Sequence, residues 1–273
     1  MPELPDITVY LERLEPRVLG QPLLRIALAK PFVLRSVAPP LSAAEGRRVV
    51  GLERVGKRIV LGLEGDLFLV LHLMIAGRLR WLDATPVAGR KKPKAIPRSL
   101  ALAKLEFPTG TLVFTEAGTT RRASLHLVSG REALREFDRG GIDVRTIDRD
   151  TFAARLRSEN HTLKRSLTDP RLFDGIGNAY SDEILHRARL SPLALSGTLS
   201  AESIDRLYDA TRTVLAEWTE RLRKDVGEGF PEKVTAFHDE MAVHGRYKKP
   251  CPVCGSPVQR IRYARNETNY CAR

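Results

Sequence analysis

Residues 5–19 place Ile7, Tyr10, Leu11, Leu14 and Val18 at i, i+3, i+4 spacing, which predicts a helix with one apolar stripe. Pro5 suits its first turn, where a missing N–H costs nothing, and Gly20 ends it. From 22 to about 128 the period shortens. LLRIALA, RRVVGLERV, KRIVLGLEG, LFLVLHL, LALAKLEF and TLVFTEA are short β-rich runs punctuated by Gly and Pro, the pattern of a β-sandwich or barrel. The most apolar stretch, LFLVLHLMIAG (67–77), reads as a buried strand pair and is too short to span a bilayer. ATPVAGRKKPKAIPR (84–98), with five basic residues and three prolines, reads as an exposed cationic loop. After about 129 the pattern turns helical, in SGREALREF, DRDTFAARLRSE, HTLKRSLTD, NAYSDEILHRA and AESIDRLYDATRTVLAEWTERLRKD. Asp138-Arg139-Gly140-Gly141 reads as an interdomain linker.

Composition adds a partner class. At 273 residues and 42% hydrophobic, the chain is long enough for two domains with a sizeable core. Lys and Arg number 45 against 33 Asp and Glu, a net charge of +12 that favours polyanions, with nucleic acid first. The N-terminus lacks a basic segment followed by an apolar run, so the expectation is a soluble, cytoplasmic, nucleoid-associated protein. No heptad pattern is visible, and a monomer is expected.

Cys251, Cys254 and Cys271 all fall in the last 23 residues, which favours a metal in a reducing compartment over a disulfide framework. Cys-x2-Cys, sixteen residues and a third Cys follow zinc-ribbon spacing. The second knuckle shows only its first cysteine, so the expectation is a chain cut short by one or more residues. His244, at an unusual spacing, is the other candidate for the fourth ligand. In DGIGNAYSDEILHRARLSP (174–192), Gly175 and Gly177 allow a tight turn and Asn178 is expected to cap a helix beginning at Ala179. The N–H groups at such a terminus suit an anion such as a DNA phosphate. Lys57 opens a strand and His72 interrupts an apolar one. Read alone, they are surface charge and a core histidine.

The order of these features resembles the formamidopyrimidine-DNA glycosylase/endonuclease VIII family. It is carried by Pro2-Glu3-Leu4-Pro5, Lys57, His72-Leu73 with Gly77, Gly175-Ile176-Gly177-Asn178 and the terminal cysteines, across nearly the whole chain. The resemblance implies an α+β fold. It comprises an N-terminal catalytic β-sandwich domain (1–128), a linker (129–145), a helix-two-turn-helix DNA-binding domain (146–240) and a zinc-finger β-hairpin (241–273). It further implies that lesion-bearing or abasic duplex DNA lies between the two halves.

It also implies a chemistry for the N-terminus. With Met1 removed, Pro2 is a secondary amine that attacks C1′ of a damaged nucleotide. A terminal amine has a reference pKa of about 7.7–8.0 against about 10.4 for lysine, so a usable fraction is neutral at cellular pH. Glu3 shuttles protons, with Asp6 standing where the family usually has Glu. Lys57 and Asn178 hold phosphates, as does His72 more weakly. The enzyme extrudes the oxidised base, excises it and nicks the strand by β,δ-elimination.

Three departures bear on specificity. Ile75 falls at the position of the Met that fills the gap left by the flipped base, with Met74 one position early. Arg121 falls at the gap-filling Arg and Ala123 at the Phe. In the hairpin, the phosphate-binding Arg falls at Asn266, with Arg265 beside it as the substitute. The segment 222–233 occupies the place of the loop that covers the extruded base. With the incomplete cysteine set, these departures support a rival reading, a damage-specific DNA-binding protein with weak or lost excision. A basic RNA-binding protein with a zinc ribbon would leave Pro2-Glu3 unexplained.

Overall fold

The computed structural model describes residues 1–85, 96–232, 234–235, 237–263 and 266–273. Most of the cationic stretch 84–98 and the whole of Arg265 lie outside these residues. The chain divides into two compact units, the first comprising residues 1–2, 6–138 and 222–234 and the second residues 3–5, 139–221 and 235–273.

The first unit is built on α1 (Leu4–Val18) and eight strands: β1 (Arg25–Leu28), β2 (Val49–Val55), β3 (Arg58–Leu63), β4 (Leu67–His72), β5 (Gly77–Asp83), β6 (Ala101–Phe107), β7 (Gly110–Glu116) and β8 (Ser124–Ser129). They form two antiparallel four-stranded sheets, ordered β2-β3-β4-β8 and β1-β6-β7-β5. The predicted stripe of α1 is fully buried at Ile7, Tyr10, Leu14 and Val18. It shares one core with Ile59, Leu61, Leu69 and Leu71 of one sheet and Leu79, Trp81, Leu105 and Phe114 of the other. Period-two alternation sorts β5, whose Gly77, Leu79 and Trp81 point inward while the intervening positions are less buried.

The stretch 67–77 is one strand and a turn rather than a strand pair. β4 is apolar from Leu67 to Leu71 because both faces are covered. Leu69 and Leu71 enter the main core, while Phe68 and Val70 pack with Val60 and with Leu134 of α2 (Arg131–Arg135). The chain then turns at Met74, whose φ is +53°, and Gly77 N–H donates to the Leu73 carbonyl at 2.8 Å. A Cβ on Gly77 would stand 2.1 Å from that oxygen, so only glycine permits this turn. Lys57 likewise occupies a turn rather than a strand start. Gly56, at φ +62°, and Lys57 form the two-residue connection between β2 and β3, closed by the Val55–Arg58 pair.

The end of α6 (Ala201–Val226) and the segment after it pack within the first unit. Phe230 lies 5.7 Å from the Tyr10 ring and 6.5 Å from Trp81, beneath the Arg17 guanidinium at 5.6 Å. Arg223 pairs with Glu12, and Arg78 donates to the Val234 carbonyl.

The second unit contains α3 (Arg149–Arg157), α4 (Leu163–Thr168), α5 (Asn178–Ala188) and most of α6. Phe152, Leu156, Leu163, Leu167, Phe173, Ile184, Leu207 and Leu215 make its core. A hairpin of β9 (Gln259–Tyr263) and β10 (Asn266–Tyr270) follows, in the register Asn266–Tyr263 to Tyr270–Gln259. No helix among the described residues is long and apolar enough to cross a membrane.

Candidate active site and metal centre

In the first unit, strand register gathers most of the predicted contact residues at one end of a sheet. Arg58 pairs with His72 across β3 and β4, and His72 with Ser124 across β4 and β8. The Gly56-Lys57 turn, the 73–76 turn and the 117–123 turn therefore meet at that end. Ala117 N–H reaches the Ala76 carbonyl at 3.3 Å. Ile75 is 65% exposed, unusual for a large apolar side chain. Arg121, exposed at φ +45°, lies over the Phe32 ring at 5.4 Å. Ala123, at the position of the family's gap-filling Phe, is fully buried in the core and presents no wedge. Its N–H and that of Arg122 donate to Glu116 Oε1 at 3.1 and 2.9 Å, which fixes the turn presenting Arg121.

Burial, reinforced by Arg58 and Lys57, pushes the His72 imidazole down to about 4. It is neutral near pH 7, with one ring N–H rather than a charge.

In the second unit the central group is Glu3. Its buried carboxylate accepts from Gly177 N–H at 2.7 Å, Ala179 N–H at 2.9 Å and Tyr180 N–H at 3.3 Å. The start of α5 therefore holds an anion, as predicted, but the anion is the protein's own. Gly177 is the N-cap residue, and Asn178 does not cap the helix. Asn178 Nδ2 instead donates to the Glu267 carbonyl of the hairpin at 2.9 Å. Pro2 and Asp6 flank this carboxylate in sequence, and both are buried. The N–H groups at a helix terminus attract negative charge through the helix dipole, which keeps Glu3 oriented.

Sequence reasoning missed a buried polar network on α5. Asp182, fully buried, accepts from Lys164 Nζ at 2.5 Å and from Asn269 N–H at 3.1 Å, and meets His244 Nδ1 at 2.8 Å. Lys164 also donates to Ser181 Oγ and the Asn178 carbonyl, while burial pulls its ammonium pKa down. Glu183 accepts from the N–H groups of Ala242, Val243 and His244 at 2.8–3.0 Å. The one sequence signal for this network is the four-residue spacing of Asn178, Asp182 and His186 along a helix.

Cys251, Cys254 and Cys271 come together, with all three sulfurs within 4.8 Å of one another. Hydrogen bonding from Ser256 draws the Cys254 thiol down to about 7, toward the thiolate a metal requires. Three soft donors at this separation fit a tetrahedral ion such as zinc, and the cluster could hold a metal. His244 does not complete it, because its ring is turned to Asp182 and stacks on Phe237 at 5.4 Å.

A chain opening on Pro-Glu, a unit of two sheets, a helical unit in which Glu3 is held by a helix terminus, and a cysteine hairpin together define a class, and comparison with known proteins identifies it. The formamidopyrimidine-DNA glycosylase N-terminal domain matches residues 1–123, and the formamidopyrimidine-DNA glycosylase H2TH domain matches residues 143–226. The formamidopyrimidine-DNA glycosylase of Thermus thermophilus is 36% identical over 283 residues, covering 99% of this chain and 97% of its own. The crystal structure of the MutM (Fpg) protein from Thermus thermophilus superposes with a TM-score of 0.79 at 33% identity, over 99% of this chain and 97% of that one. A Lactococcus lactis Fpg complex with DNA containing an oxidised pyrimidine gives 0.81 at 25% identity, over 99% and 98%. This chain belongs to the formamidopyrimidine-DNA glycosylase family, a family of DNA repair enzymes.

Proposed function

We propose that this protein is a bifunctional DNA glycosylase and abasic-site lyase acting on oxidised bases in duplex DNA. The supporting observation is Pro2 followed directly by a carboxylate that three backbone N–H groups hold in place, in a chain of this family. With Met1 hydrolysed away, the Pro2 nitrogen lone pair attacks C1′ and the C1′–base bond breaks. The base leaves with a proton, and the sugar ring opens to an iminium ion at C1′. Glu3 delivers a proton to the ring oxygen and then accepts one from C2′. β-Elimination expels the 3′-phosphate, δ-elimination expels the 5′-phosphate, and hydrolysis of the iminium ion frees Pro2.

Placement supports the other roles in this reading. Lys57 and Asn178 hold phosphates flanking the lesion. Bonded to Glu267, the Asn178 amide keeps a second hydrogen for a phosphate oxygen. Ile75, with Met74 next to it in the turn, enters the gap left by the extruded base, and Arg121 faces the estranged partner. Asp6 adds a second carboxylate one turn along α1. Cys251, Cys254 and Cys271 hold a structural zinc that stiffens the hairpin, and the protein works as a monomer.

The test is incubation of the processed protein with duplexes carrying a single formamidopyrimidine, 8-oxoguanine or oxidised pyrimidine. Excision and a one-nucleotide gap bearing phosphates at both ends are expected on at least one substrate. Tight binding to an abasic analogue without cleavage of any lesion would favour the binding-protein reading.

A further inference from the structure

Helix α5 meets the cysteine hairpin and the turn leading into it at four points. Asn178 donates to the Glu267 carbonyl, Asp182 accepts from Asn269 N–H, and Glu183 accepts from three N–H groups at 242–244. These three residues contact backbone, and Asp182 also meets the His244 imidazole at 2.8 Å. The fourth, one turn beyond Asp182, is different. His186 Nε2 lies 3.2 Å from the sulfur of Cys251, itself a buried member of the cysteine cluster.

We propose that His186 is a positioning residue of the metal centre, donating Nε2–H to the Cys251 thiolate. The proposal rests on reading the three cysteines as a metal site. A metal takes cysteine as thiolate, and a thiolate sulfur has no proton to give, so the proton in this contact belongs to the imidazole. The bond fixes the direction of the sulfur and withdraws part of the charge it shares with the metal. The imidazole is not itself a member of the group whose donor atoms lie within 4.8 Å of one another, so it acts through Cys251 rather than as a ligand. Since Asn178 and His186 lie on the same face of α5, the helix fixes the hairpin at the phosphate-contact end and at the metal end together.

The test uses the full chain, with zinc affinity measured by chelator competition and the cobalt(II) form by absorption and X-ray absorption spectroscopy. His186→Phe and His186→Leu remove the donor, and His186→Gln keeps an N–H. The donorless variants should bind zinc about 10- to 100-fold more weakly and shift the sulfur-to-cobalt band, with His186→Gln within about threefold of wild type. Melting of the metal-free forms identifies any variant that fails to fold, and the other donorless variant then decides the outcome. Wild-type affinity and spectrum in both donorless variants would overturn the proposal. So would loss of a nitrogen from the metal's coordination shell, which would make His186 a ligand. Failure of the wild-type chain to bind metal would sink the metal reading itself, whatever the variants did.

Discussion

The two units carry their candidate functional residues in opposite ways. In the first, Lys57, Met74, Ile75 and Arg121 sit on turns beyond strand ends, two of them at positive φ, and Ile75 and Arg121 are exposed. In the second, Glu3, Asp182 and Glu183 are buried carboxylates, each engaged by backbone N–H groups or buried cations. A turn anchored by a rigid sheet can present a side chain to a ligand at little cost in hydration. A buried carboxylate must be fully engaged, or it destabilises the fold. The first arrangement allows contacts to change without loss of fold, whereas the second fixes geometry and tolerates almost no substitution.

That contrast can be broken most severely at Glu3. Glu3→Gln should lower single-turnover lesion excision by about 10²- to 10⁴-fold while DNA binding persists, because proton transfer is lost and the amide oxygen can still accept from the helix. A rate within tenfold of wild type would remove Glu3 from the chemistry. Asp182→Asn comes next. It leaves Lys164 without its buried counter-charge and should cost about 3 kcal/mol or more, read by denaturant melting. A loss below about 1 kcal/mol would mean that the network is slack.

In the first unit the corresponding test is pH. The folded pKa of His72, about 4, lies below its unfolded value near 6.5, so the unfolded chain takes up the proton first as pH falls. Stability on this account is complete above pH 6.5 and declines toward pH 4, by up to about 3 kcal/mol. His72→Gln should flatten that part of the stability–pH profile, and an unchanged slope would contradict the assigned cause. The smallest effect is expected at Arg121→Ala, which should leave folding unaffected and reduce discrimination for the base opposite the lesion by about 1 kcal/mol. Excision rates against the four opposing bases measure this directly.

Legibility in the sequence follows the same division. Periodicity exposed α1 and most strands because burial on one face repeats locally, as at Ile7, Tyr10 and Leu14. The cysteine spacing likewise foretold the cluster. The stretch 67–77 misled because β4, covered on both faces, has no alternation to mark where the strand ends and the Met74 turn begins. The hold of α5 on Glu3 was not legible, since residues 174 or more positions apart meet only in the fold. The burial of Ala123, which stands at the family's Phe position, was not legible for a related reason. Alignment with a family position says nothing of whether the side chain faces the core.

The central claim, that Pro2 is a nucleophile served by Glu3, is tested most directly by borohydride trapping on a duplex with one abasic site. The processed protein should give a covalent adduct that mass spectrometry maps to the Pro2 peptide. The same chain retaining Met1 should give none at that residue. An adduct at a lysine instead, or no adduct despite tight binding, would contradict the account.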